Sequence, residues 1–191
     1  RKYYAMMRFA LGCNITYLVS ASPSNVVRLH QTAVERYEDL VRDIHDGTLS
    51  AEVAEEIAPE ERAEILAGLE PNPRRAAQLQ QLMERHGAGL RPKHYWPNLA
   101  CVNTWKQGNF AVLIPKIADY FDEKTNVRAF GYYASEVRAL VLGNDWDYSV
   151  LTAHAHHFEF IEEHAHDVDD PPVLQAHEVE EGKRYYLVFS N

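Results

Sequence analysis

The first 90 residues carry apolar side chains at the three-to-four spacing that is typical of helices packed on a core. The longest such pattern runs from Pro23 to about His45, with Ser22 placed to cap its start and Gly47 at its end. Its apolar stripe consists of Val26, Leu29, Ala33, Tyr37, Leu40, Val41 and Ile44. We therefore predict a core-facing helix over this segment.

Shorter elements are predicted on both sides of this helix. The spacing of Tyr4, Met7 and Leu11 indicates a helix over residues 1–11, and the β-branched run 15–19 indicates a strand. Between residues 49 and 87, capping residues and glycines delimit three more helices: one from Ser50, one from Pro59 to Gly68, and one from Asn72-Pro73 to Gly87. Residues 1–90 are thus expected to be mainly helical with one strand.

From residue 91 onward the pattern changes to short apolar strands separated by helical or polar stretches. Strands are predicted over residues 101–105, 127–133, 157–161 and 185–189. A helix is predicted over 109–121, in which Pro115 should cause a kink or a late start. Such alternation favours an α/β fold, a layered sheet with flanking helices. We expect residues 1–191 to form one partial domain, with 91–191 as its alternating half.

Composition narrows the class of protein. The 191 residues are 46% hydrophobic and 25% charged, as in an ordinary globular protein, and the formal net charge is −9. The sequence has no basic stripe with interleaved aromatic residues, so we expect neither nucleic acid nor an anionic membrane as a partner. No apolar run approaches the ~20 residues of a membrane span. The two cysteines, Cys13 and Cys101, lack paired spacing, which favours a cytoplasmic protein.

Candidate chemistry concentrates in the run Gly131-Tyr132-Tyr133-Ala134-Ser135-Glu136, which overlaps and follows the predicted strand. The ring of Tyr132 can stack on a base, and the hydroxyl of Ser135 can donate to a phosphate oxygen. The carboxylate of Glu136 can bind a magnesium ion that bridges phosphates. Ligand groups in α/β sheets lie at the carboxyl ends of strands. The motif therefore predicts a nucleotide site in the loop after this strand.

Two other classes of function remain open from the residues alone. A histidine-rich segment could bind zinc or a similar metal, and two of its histidines, 154 and 156, would share one face of a strand. Its candidate ligands are His154, His156, His157, His164, His166 and Asp167. Alternatively, Tyr132, Tyr133 and Trp105 are only packing residues of a non-catalytic binding module. The sequence leaves the oligomeric state open.

The motif resembles the adenine and magnesium motif of adenylate-forming enzymes, and other segments narrow the resemblance to one branch. These segments are Arg42-Asp43-Ile44-x-x-Gly47-Thr48-Leu49, Tyr95-Trp96-Pro97-Asn98-Leu99, Val102-x-Thr104-Trp105, Ile114-Pro115, Tyr120-Phe121 and Phe158-Glu159-Phe160. The chain is similar to the auxin-responsive Gretchen Hagen family of acyl-acid amido synthetases, within the firefly-luciferase-like superfamily. The Tyr-Tyr pair in the motif favours a bacterial member.

The resemblance implies an enzyme that uses ATP and Mg²⁺ to activate a carboxylic acid as acyl-AMP and then transfers the acyl group to an amine, usually an amino acid. The chain would be the central part of the large N-terminal domain of such an enzyme, and inactive alone. Tyr132 would stack near the adenine, while Ser135, at the α-phosphate, and Glu136, on magnesium, would be catalytic. Gly108 would bring backbone near the acyl-adenylate. His157 would lie on the nucleotide side, where the family has an aromatic residue.

Overall fold

The computed structural model describes residues 1–142 and 149–190 as a mixed helix and sheet fold, 45% helical and 16% strand. The chain forms two compact units, Arg1–Ala129 and Phe130–Asn191. The expectation of one partial domain stays a prediction. Within the described ranges, no helix has both the length and the apolar character that a membrane span requires.

The first unit contains the α-helices of the described chain. They are α1 (Lys2–Gly12), α2 (Pro23–Glu35), α3 (Tyr37–Asp46), α4 (Ala51–Ala54), α5 (Pro59–Ala67), α6 (Pro73–His86), α7 (Pro92–Tyr95) and α8 (Ile114–Ala118). Local sequence explains several of their ends. The Ser22 hydroxyl accepts the N–H of Ser24, and the Asn72 side chain accepts the N–H of Arg75. Gly47 ends α3 with a φ of 72°, which favours glycine.

A three-stranded parallel sheet packs against these helices. Its strands are β1 (Tyr17–Val19), β2 (Cys101–Asn103) and β3 (Asn126–Arg128), in that spatial order. Leu18, Val102 and Val127 are paired across the three strands, and their side chains pack into the main core. Because neighbouring side chains of a strand point to opposite faces, Tyr17 and Val19 lie on the other face, where both are more than half exposed.

The core of the first unit also encloses a hydrogen-bonded carboxylate. Asp43 is buried and accepts hydrogen bonds from the Tyr4 hydroxyl at 2.6 Å, the Thr48 hydroxyl at 3.1 Å and the backbone N–H of Ser50 at 2.6 Å. Burial, together with this carboxylate, raises the pKa of the Tyr4 hydroxyl well above its usual value. These bonds join α1 to the end of α3 and the start of α4.

The second unit is built from antiparallel strands. β4 (Leu140–Leu142) pairs with β5 (Ser149–Leu151), and β6 (His157–Glu162) lies between β7 (Leu174–Gln175) and β8 (Tyr185–Ser190). A small core consists of Val137, Ala139 and Phe158, with Leu140, Leu151, Phe160, Leu187 and Phe189 packed around it. Val137 and Ala139 come just after the candidate motif, so their burial in this core fixes the chain at the end of the motif.

Several predicted elements differ from the structure, and strands β1 and β2 are each two residues shorter than predicted. The long helix after Pro23 is divided at Arg36, whose ψ of 30° is not helical, into α2 and α3. Residues Gly108–Leu113 form a 3-10 helix, and α8 starts late, at Ile114, because Pro115 suits only the first turn of an α-helix. β3 has three residues rather than seven and lies at the edge of the described sheet. Beyond Ala118 the described residues form strands and one 3-10 turn rather than α-helices.

Candidate functional site

The motif residues Ser135 and Glu136 lie at the tip of a tight turn. The backbone N–H of Ala134 donates to the carbonyl of Val137 at 2.8 Å, and Tyr133 forms a β-bridge with Arg138. Both tip residues are exposed. The hydroxyl and the carboxylate therefore project from one short loop, as the sequence predicts, although the loop belongs to a hairpin and not to the end of a long strand.

Gly131 allows the two arms of this hairpin to approach closely. Its φ is +83°, and an added Cβ would lie 2.3 Å from the carbonyl oxygen of Leu140. The N–H of Leu140 in turn donates to the carbonyl of Tyr132 at 3.0 Å. A side chain at position 131 would meet backbone and not a movable group. The glycine of the motif thus has a structural role, which the sequence did not reveal.

The two tyrosines of the motif differ in their surroundings. Tyr132 is 51% exposed, whereas Tyr133 is 38% exposed and its ring packs edge-on against Phe130, with 5.6 Å between centroids. On the returning arm, Val137 and Ala139 are buried. The hairpin is therefore held by its returning arm, and Tyr132 presents an aromatic surface to solvent. Tyr133 is a second partly exposed aromatic residue, for which the sequence suggests only a packing role.

His157 is the first residue of β6 and pairs with Ser190 of β8. Its Nε2 atom lies 3.7 Å from a carboxylate oxygen of Glu159, and the side chain is exposed. An exposed imidazole beside a carboxylate can stack on a planar group or donate a hydrogen bond. The predicted nucleotide-side role of His157 stays a prediction.

The histidine-rich segment does not form a metal-binding cluster within the described ranges, where no group of three or more candidate ligands comes together. His154 lies in a turn closed by the N–H of Ala155 and the carbonyl of Thr152, so it does not share a strand face with His156. His164 and His166 instead lie beside single carboxylates, those of Glu162 and Asp167. The metal interpretation therefore lacks support from geometry.

Gly108 lies in the first unit, in the loop after β2, whereas the other four candidate residues lie in the second. It has a φ of +60° and begins the 3-10 helix, with open space where a Cβ would project. The segment before it is attached to the neighbouring strand: the N–H of Thr104 donates to Arg128 at 2.9 Å, and the Lys106 ammonium donates to Val127 at 3.2 Å. Gly108 thus lies in a loop at the carboxyl edge of the parallel sheet, and hydrogen bonds to β3 hold the start of this loop in place.

A cavity of about 360 Å³ lies along β1, between α1 and α2. Apolar side chains from all three elements line it, including Met6, Ala10, Leu18 and Leu29. Ser20 and Asn25 supply polar groups near the end of β1, and the Asn25 amide donates to the Ser20 hydroxyl at 3.2 Å. Pockets of this kind, apolar with a few polar groups, suit small organic molecules. No local pattern of residues indicates this cavity, because its walls come from separate segments of the chain.

Comparison with known proteins identifies two family domains along the chain. The GH3 family N-terminal domain matches residues 1–126, and the GH3 family central domain matches residues 149–191. No curated protein sequence matches the chain significantly.

Solved structures share its fold. "AtGH3.15 acyl acid amido synthetase in complex with 2,4-DB" matches with a TM-score of 0.76 and 20% identity, over 98% of this chain and 33% of that one. "GH3.15 acyl acid amido synthetase" matches with a TM-score of 0.77 and 19% identity, over 98% of this chain and 34% of that one. The chain thus spans about a third of the length of these structures.

Proposed function

The chain belongs to the GH3 family, and from this premise we propose that the intact protein is an ATP-dependent acyl-acid amido synthetase. It would join a carboxylic acid to AMP and then pass the acyl group to an amine, with an amino acid as the expected acceptor. One observation carries the proposal: an exposed aromatic ring, a hydroxyl and a carboxylate project from a single anchored hairpin, at Tyr132, Ser135 and Glu136. A bacterial origin stays a prediction.

The hairpin fits a magnesium nucleotide. Mg²⁺ is bound by one or two carboxylates together with substrate phosphates, and Glu136 offers one exposed carboxylate at the tip. When bound, the metal supplies charge neutralisation at the phosphates. Ser135 would donate its hydroxyl to a phosphate oxygen, and the half-exposed ring of Tyr132 would stack on the adenine. Gly108 and His157 are proposed to contact the acyl-adenylate and the nucleotide, respectively.

The cavity between α1, β1 and α2 is the proposed site of the acyl group. Its lining by Met6, Ala10 and Leu29 favours the apolar part of a carboxylic acid. Replacing Ala10 by Phe would fill part of this space, so bulky acids should lose affinity before small acids do. The reverse order of loss among acids of increasing size would contradict this placement.

Adenylation assays on the intact protein test the role of the hairpin. Glu136→Gln removes the metal-binding charge and should lower kcat for ATP–pyrophosphate exchange by roughly 10². Tyr132→Ala removes a stacking surface that contributes ~1–3 kcal/mol, so it should raise the KM for ATP by about tenfold and change kcat less.

Matched controls come from the same unit. Glu181→Gln changes an exposed carboxylate outside the motif, and Tyr186→Ala removes a ring of similar exposure, 45%. Both should leave exchange unchanged. Folded Glu136→Gln and Tyr132→Ala variants with the wild-type rate and ATP dependence would rule out the proposed nucleotide site. We further expect the 191-residue chain alone to show no exchange, because it spans only a third of the matched synthetase structures.

A further inference from the structure

A second cavity, of about 400 Å³, lies within the first unit, between the end of α1 and the start of α6. Its lining residues are Gly12, Cys13, Asn14, Asn72, Arg74, Arg75, Gln78, Tyr95, Pro97 and Asn98. None of these described lining residues is acidic, and two are arginines, in a chain whose formal net charge is −9. The cavity is therefore a local concentration of positive charge and amide groups in an acidic protein.

Arg75 is a half-buried cation for which the described part of the chain provides no counter-ion. Its guanidinium donates to the carbonyl of Leu11 at 2.8 Å, the carbonyl of Tyr95 at 2.6 Å and the Gln78 side chain at 3.4 Å. Burial lowers the pKa of this guanidinium, because removal from water disfavours its charged form. Among residues 1–142 and 149–190, no carboxylate forms an ion pair with Arg75 or with its neighbour Arg74.

A third guanidinium lies behind the cavity wall. Arg8 is 4% exposed, and its Nη1 atom lies 3.8 Å from the position that a Cβ on Gly12 would occupy. Its Nη2 atom is buried without a hydrogen-bond partner among the described residues. The charge of Arg8 is partly offset by the buried Asp43 carboxylate, so the two lining arginines are the main source of positive charge at the cavity.

We propose that this cavity binds a small oxyanion, the chemistry shared by inorganic phosphate and a free carboxylate. Guanidinium groups form their strongest hydrogen bonds with such anions, often in pairs. Arg74 is exposed and lies beside Arg75, so it is free to turn toward the anion. Asn14 and Asn98 also line the cavity, where the Asn98 amide donates to the Asn14 side-chain oxygen at 2.9 Å, and their amide groups can supply further donors.

Isothermal titration of the purified protein with inorganic phosphate, at constant ionic strength set with chloride, tests the proposal. We expect saturable binding that Arg74→Gln weakens by about tenfold, the effect of losing one charge-assisted hydrogen bond. Arg85→Gln removes the same charge from an exposed position on the same helix outside the cavity and should leave binding unchanged.

A second variant separates the effect of charge on anion binding from any effect on folding. In Asn14→Asp the new carboxylate can still accept the hydrogen bond from Asn98, but its negative charge should repel the anion and weaken binding further. Titration with acetate then distinguishes a carboxylate site from a phosphate site. Absence of saturable binding of either anion, or equal binding by wild type, Arg74→Gln and Asn14→Asp, would overturn the proposal. Glu136→Gln, which tests the nucleotide hairpin, should leave this binding intact.

Discussion

The buried imidazole of His30 should make the stability of the first unit depend on pH. His30 is 6% exposed, its Nδ1 lies 3.2 Å from the Tyr95 hydroxyl, and its ring packs edge-on against Tyr120, with 4.5 Å between centroids. Burial, followed by the positive charge of Arg91, lowers the pKa of His30 from 6.5 to about 4, although Asp119 acts in the opposite direction. The folded protein therefore keeps this histidine neutral in mild acid.

The sign of the effect follows from which state takes up the proton. Above pH 6.5 neither the folded nor the unfolded state is protonated at this site, and the full stability is present. As the pH falls from 6.5 to about 4, only the unfolded chain binds the proton, so stability is lost. At about 1.4 kcal/mol per pKa unit, the loss reaches about 2 kcal/mol at pH 5 and about 3 kcal/mol near pH 4.

Urea unfolding of wild type and His30→Gln at pH 7 and pH 5 isolates this contribution from the other titrating groups. Glutamine does not titrate and can keep a hydrogen bond to Tyr95, so the variant should be less stable at pH 7 through imperfect packing. Its deficit relative to wild type should then shrink by about 2 kcal/mol at pH 5. A deficit of His30→Gln that is the same at both pH values would refute the reasoning.

Two further predictions concern backbone geometry and capping. Gly131→Ala should destabilise the second unit by about 2 kcal/mol or more in urea unfolding, because the new Cβ meets the Leu140 carbonyl. Gly182→Ala, with a φ of +86° but open space around it, should cost only about 1 kcal/mol, and equal effects would exclude the clash. Asn72→Ala should cost about 1 kcal/mol in thermal unfolding through loss of the α6 cap. Ser50→Ala should cost less, since Ser50 makes no side-chain capping bond, and a larger loss there would contradict the assignment.

The sequence by itself determined the features that depend on near neighbours. Ser22 and Asn72 begin α2 and α6, and Gly47 ends α3, where the sequence predicts, because a cap involves backbone groups within three or four residues. The same holds for the late start of the helix at Pro115. Motif order and spacing also predicted the family, since residue identities carry that information directly.

Only the tertiary structure decided which segments meet. The exposed tip of the hairpin depends on Gly131 lying against Leu140, and the 3-10 helix after Gly108 replaced a predicted helix. The neutral state of His30 depends on burial by distant segments, and the anion cavity depends on Arg75 reaching Leu11 and Tyr95. Such contacts form between residues far apart in the chain, and their energy comes from packing and burial that no local pattern of side chains encodes.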